Sequence, residues 1–362
     1  MRLKTTDPES TAEPAGIGAG AGRLAGVSDL SRRAVQQTGG RVPSTGGYRL
    51  EPAFYEPERV PPEVLQQSRV WRGLPVGSPG KVGILQLGFD RNRGRTELVQ
   101  HYQKSPLQIM HPLYFNELRP DMAYTYLMSS GGGILHGDRL RTDLRFGPGT
   151  AAHVTTQTQT RVYRMEHDYA SAIVNITVEE GAYAEYLPEP VVPFADSRFY
   201  QQTSAVVDES ATLLLGETLY AGRLARGERH AYDVYASDLE VRRPDGRLVA
   251  LDRLRLIPGK GGDGAESGVN GLGVLAGHDV LSMLYVVTPD VPVALLADTL
   301  HRAVEERGGD LIFGVSTLPG DTGVWMRLVG NDTVAVAAAG TAAAAAVHEL
   351  LTGLRAPVIR KS

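Results

Sequence analysis

The sequence predicts a mainly β fold, a β-helical stack of sheets with about two α-helices near the C-terminus. Three observations carry this expectation. In DRLRTDLRF, Arg139, Arg141, Asp143 and Arg145 alternate with Leu140, Thr142, Leu144 and Phe146, and a period of two sends successive side chains to opposite faces of a sheet. Strand–turn–strand units then recur. Their breaks at 147–149, 179–181 and 208–210 lie roughly 30 residues apart, the spacing of supersecondary units that stack into a solenoid. Only near the end does the apolar period change to that of a helix.

Taken in order, residues 1–75 are rich in Gly, Ala, Ser, Thr, Glu and Pro. A stretch such as TAEPAGIGAGAGRLAG buries too little apolar surface to hold a fixed structure. Residues 1–75 therefore read as a low-complexity, mobile extension and 76–362 as the β-rich domain. Within the extension, EPAFYEPERVPPEVLQQSRVW carries aromatics suited to docking on the body or on a partner. KVGILQLGF and TELVQHYQ flank Asn92-Arg93-Gly94 as two strands around a turn. AAHVTTQTQTRVYRM has the β-branched composition of strands. SAIVNITV with AYAEYL, and TSAVV with ATLLLGETL, complete the two later units. A β-sandwich of regular hairpins would share this pattern, although the recurrence favours stacked sheets. Asp245-Gly246 marks a hairpin, and GKGGDGAESGVNGLG reads as a surface loop. Asp290 is placed to cap a helix with Val293, Leu296, Leu300 and Val304 on one face and Gly308 past its end. VWMRLVG and TVAVAAAG read as strands. Thr341 then caps AAAAAVHELLTG, which stops near Gly353.

Composition narrows the function. Apolar residues at 42% and charged residues at 22% are ordinary for a globular protein, and a net charge of -4 lacks the basic excess of a nucleic-acid binder. No run of about 18 apolar residues is seen, which predicts no membrane span. MRLKTTDPES lacks a signal-peptide core, so the expected compartment is the cytoplasm. The absence of cysteine excludes disulfides and thiolate metal sites. Gly131-Gly132-Gly133 through His136-Gly137 fits neither phosphate-loop spacing, so a tight turn explains the glycines better. The nine histidines include no pair at i, i+2 or i, i+4. Asp138, Asp143, Glu185, Glu189 and Glu217 could converge in the β region, but their separation, which decides any acid–base reading, is not in the sequence. A binding or scaffold role outweighs an enzyme.

Four linked blocks resemble the UreD (UreH) family of urease accessory proteins over about residues 78 to 355. They are Gly131-Gly132-Gly133 through His136-Gly137-Asp138-Arg139-Leu140, then GPGTAAHVTTQTQTRVYRM, EEGAYAEYLPEPVVPFADSRF and DESATLLLGETLYAGRLARGE. His136 stands where the family commonly has a small residue. The resemblance implies a non-catalytic β-helical scaffold that binds UreF, which recruits the GTPase UreG. That assembly docks on apo-urease and delivers Ni²⁺ through a polar internal tunnel. It implies no tightly bound cofactor, only Ni²⁺ in transit. On this reading His136, Asp138 and Glu189 are the candidate metal contacts of the conduit, with Thr156 and Gln157 as neutral lining, and the C-terminal helices are where UreF binds. The alternatives are a β-helix enzyme acting on polysaccharide, which would want aromatic platforms where this chain has two tryptophans, and a structural β-protein without a metal role.

Overall fold

A computed structural model of the chain describes residues 49–67, 81–259 and 268–359. TAEPAGIGAGAGRLAG and residues 260–267 of the glycine-rich loop lie outside the described residues. The first sheet holds β1 (Val82–Asn92), β2 (Arg95–Lys104), β5 (Arg139–Phe146), β8 (Ala170–Val178), β11 (Arg198–Val207), β13 (Val234–Arg242) and β14 (Leu248–Leu256). Their order is β14-β13-β11-β8-β5-β1-β2. The second runs β16-β17-β15-β12-β9-β6-β4-β3. Its strands are β3 (Leu107–Gln108), β4 (Ala123–Ser129), β6 (Ala151–Thr156), β9 (Tyr183–Tyr186), β12 (Thr212–Tyr220), β15 (Val280–Val287), β16 (Leu311–Thr317) and β17 (Gly323–Gly330). Two short strands, β7 (Thr160–Val162) and β10 (Val191–Pro193), pair in parallel and join this second sheet off its main path, through β12.

Parallel pairing decides between coils and hairpins. β5, β8, β11 and β13 are mutually parallel in the first sheet, and β4, β6, β9 and β12 in the second. The chain crosses between sheets at the three predicted turns, and each turn rests on the next: the Gly149 amide donates to the Glu180 carbonyl at 2.8 Å. A sandwich of hairpins would be antiparallel at these positions. Side chains one coil apart therefore stack, as when Asn175 donates to Asp143 at 2.7 Å and Gln86 to Asp143 at 2.8 Å. The inner faces bury Leu85, Phe89, Leu144, Phe146, Ile176 and Leu213 between the sheets. Antiparallel pairs, β1–β2 and β13–β14, end the first sheet on its two sides, and each carries a register shift, at Gly88/Phe89 and at Val241/Arg242.

Three helices are described: α1 (Pro62–Gln67), α2 (Val293–Glu305) and α3 (Thr333–Thr352). The predicted face of α2 is buried at Leu296, Leu300 and Val304, and packs with Val336, Ala339, Ala343 and Val347 of α3 over the second sheet. Two sequence expectations differ from the structure here. Asp290 does not cap α2; it accepts a hydrogen bond from the Thr212 hydroxyl, and Pro292 occupies the N-cap. TVAVAAAG is not a strand but the first two turns of α3. Asp332, one residue upstream, accepts from the Val334 and Ala335 amides, and alanine's high helix propensity carries the helix straight through Thr341. The resulting helix of 20 residues is long and apolar enough, by length and composition alone, to cross a membrane, where the sequence reading found no such run. Nine of its 20 residues are alanine, and one face of it is packed on the fold.

Candidate functional site

Between the second sheet and α3 lies a cavity of ≈ 630 Å³. Its walls come from β6, β9, β12, β15 and α3, with Pro357, Val358 and Ile359 of the C-terminal segment against it. The outward side chains of β9 and β12 face α3, so polar residues at these positions are enclosed when the helix packs. Gly340 contributes no side chain where α3 passes Ser282 of β15.

At the cavity wall, Glu185 of β9 sits between two histidines. His153 Nδ1, on β6 in the preceding coil, lies 2.6 Å from one carboxylate oxygen. His348 Nδ1, on α3, lies 2.8 Å from the other, which also accepts from the Tyr183 hydroxyl at 2.6 Å. An ionised carboxylate only accepts, so these contacts assign the Nδ1 proton to both rings. Burial alone would raise the Glu185 pKa. The hydrogen bonds and charge of His153 and His348 reverse that and hold the carboxyl well below the usual range. Burial, with Glu185 adding to it, pushes the Tyr183 phenol far up. Tyr124, whose ring is 5.7 Å from that of His153, is pushed up to about 12 by burial. His348 Nε2 has no hydrogen-bond partner among the described residues.

A second buried carboxyl adjoins the cavity. Glu217 of β12 turns inward between the sheets and accepts from Tyr235 at 2.8 Å and Ser237 at 3.0 Å, both on β13. Burial raises its pKa above the ordinary value in spite of these bonds. Asp252 of β14 accepts from Tyr285 and from Arg327, the latter at 2.6 Å, so polar groups continue through the inter-sheet space.

Of the residues singled out from sequence, Glu189, Glu185 and Glu217 border this one cavity, whereas Asp143 lies on β5 of the other sheet and Asp138 just before that strand. The Glu189 amide donates to the Thr156 hydroxyl at 2.9 Å, one coil away. The Gln157 amide donates to the Leu127 carbonyl, and its side chain is exposed. Asp138 is 2% exposed and accepts from the Lys81 amide at 2.8 Å and the Leu135 amide at 2.9 Å, closing the turn that starts β5. His136 lies in that turn with its ring 6.1 Å from that of His167. The turn itself explains the glycines: a Cβ on Gly133 would meet the Arg161 carbonyl and the Tyr163 ring at 2.9 Å. His153 and His348 were not singled out by sequence reasoning. The signal for His153 was available, because it precedes Glu185 by about one solenoid period. Nothing local marks His348. Among the described residues, no group of three or more His, Asp or Glu is arranged to hold a metal ion.

Stacked parallel coils around an apolar core, with a cavity bordered by glutamates beneath a C-terminal helix, define a β-solenoid protein. The chain belongs to the UreD urease accessory protein family, whose model matches residues 81–361. It is 52% identical over 288 residues to urease accessory protein UreD 2 of Streptomyces griseus, covering 80% of this chain and 96% of that one. It is 37% identical over 260 residues to UreD 3 of Methylorubrum populi, covering 71% and 82%. It is 32% identical over 288 residues to UreD of Cenarchaeum symbiosum, covering 80% and 99%.

Proposed function

We propose that this chain is a cytoplasmic, non-catalytic urease maturation scaffold that binds UreF and, through it, UreG, and passes nickel to apo-urease through an internal polar tunnel. The observation that carries the reading is the cavity bordered by Glu185, Glu189 and Glu217 in a chain of the UreD family. Nickel accepts imidazole and oxygen ligands, and a conduit must hold an ion weakly at several points, since one tight site would trap it. Glu185 is already satisfied by three donors; Glu189 and the hydroxyls of Thr218 and Ser282, which bond each other at 2.9 Å, border the same cavity as weak, replaceable contacts. Nickel is cargo here, not a resident cofactor. The reading retains His136 and Asp138 as contacts at the start of β5, apart from the cavity. It puts UreF on the C-terminal helices, where Val334 is 74% exposed.

The test is to co-express urease subunits and the other accessory proteins with and without this chain, and to measure nickel content and urease activity. Nickel-poor, inactive urease on omission, restored by the wild-type chain, supports the role. Fully loaded urease without the chain refutes it.

A further inference from the structure

Residues 49–67 precede the family region, yet they lie across the outer face of the seven-stranded sheet. The path starts over β1 and β2, where Arg49 donates to Gln86 at 2.7 Å and stacks 3.8 Å above the Tyr102 ring. Over β5, the Arg141 guanidinium sits 3.9 Å from the Phe54 ring and donates to the Phe54 carbonyl at 2.9 Å, and Arg139 pairs with Glu56 at 3.0 Å. Farther on, Val64 is buried among Tyr169, Tyr200, Val234 and Ala236, and Glu63 faces Arg255 of β14 at 3.9 Å.

Two features separate this strap from a layer of the fold. It adds no strand to the sheet: among the described residues it consists of 3₁₀ structure at residues 49–50 and Pro52–Tyr55, the short α1 and extended chain, with Pro57 and Pro61 buried. The surface beneath it is also held in shape by its own partners. Asp143 fixes Arg141 at 2.9 Å, Asp168 fixes Arg139 at 3.1 Å, and Asp238 accepts from Tyr200 at 2.9 Å. A preformed receptor and a proline-stiffened segment are the two halves of extended-peptide recognition, in which little ordering entropy is lost on binding.

We propose that the outer face of the seven-stranded sheet is a peptide-binding groove and that residues 49–67 are its resident ligand, held in cis and exchangeable. The ligand class is a proline-containing peptide that presents an aromatic ring for Arg141, a carboxylate two residues later for Arg139, and an aliphatic side chain for the Tyr169–Tyr200 pocket.

The test uses the full chain with a protease site placed within residues 68–80, and a fluorescent peptide of residues 48–67 as probe. After cleavage, the 1–67 fragment should co-elute with the body, leave on dilution, and be replaced by the probe with saturable anisotropy. Uncut chain should bind the probe far more weakly. Arg141→Gln in the body, or Phe54→Ala in the probe, should weaken binding by about fivefold, the size of one exposed cation–π contact. Loss of the fragment with no saturable probe uptake would overturn the proposal. So would loss of cooperative melting on cleavage, since the strap would then be integral to the fold. Equal probe binding to cut and uncut chain would show that the groove is not occupied in cis.

Discussion

Replacing Glu185 with alanine removes the acceptor that joins β6, β9 and α3. The carboxylate takes three hydrogen bonds, from His153, His348 and Tyr183, and is 5% exposed. Tyr183 and His348 Nδ1 are 3.2 Å apart and can satisfy each other after a tautomer change, but His153 keeps no such substitute. Stranding a buried donor costs about 1–3 kcal/mol, and breaking a buried charged cluster about 3–5 kcal/mol. The expected loss for Glu185→Ala is therefore about 3–5 kcal/mol, a large part of the ~5–15 kcal/mol that holds a typical protein folded. Glu185→Gln, which keeps one acceptor oxygen, should lose about half as much. Urea unfolding measures both, through a shift of midpoint at constant slope. The sign with pH follows from the lowered carboxyl pKa. Its stabilisation is complete above the unfolded value of 4.5 and is lost as pH falls below it, so the wild-type advantage over Glu185→Gln should shrink in that range. A loss under about 1 kcal/mol for alanine, or a gap between wild type and glutamine that does not change with pH, would refute the reasoning.

Three further outcomes are expected. Burial raises the Glu217 pKa, so folding favours the neutral acid and loses support as pH rises through the folded value; Glu217→Gln should melt at the same or a higher temperature than wild type near neutral pH, with the difference closing at pH 4 in calorimetry. Asp138→Ala removes the buried carboxylate that accepts from the part-buried Lys81 and Leu135 amides and should cost about 1–3 kcal/mol in urea unfolding, so any loss of nickel transfer by this variant has to be read where it is still folded. Asp332→Ala removes the cap of α3 and should cost about 1 kcal/mol, seen as a lower midpoint in thermal circular dichroism.

The solenoid was legible because its rule is written in period and punctuation. Alternation in Arg139–Phe146 gave the faces, and the breaks at 147–149, 179–181 and 208–210 gave the crossings. Hairpin and coil share these local signals, and only the parallel register separates them. The start of α3 was misread because valines and alanines alternate as readily on a strand as on a helix, and the cap that decides is a single upstream aspartate. The site was half legible. A pair such as His153 and Glu185 follows from the coil spacing, whereas His348 arrives from a helix packed on the outside, a relation that no spacing encodes.

A stack of parallel coils is open-ended by nature, since each ladder rung is a template for the next. The register shifts at Gly88/Phe89 and Val241/Arg242 fall in the two antiparallel pairs that finish the first sheet. A bulge twists an edge out of plane, and charged edge positions such as Arg95, Lys104 and Arg253 resist a neutral incoming strand. These pairs act as stoppers against end-to-end growth. A variant whose β14 can no longer pair with β13 would keep its coils but lose one stopper, and its characteristic failure would be polymerisation into fibres rather than simple unfolding.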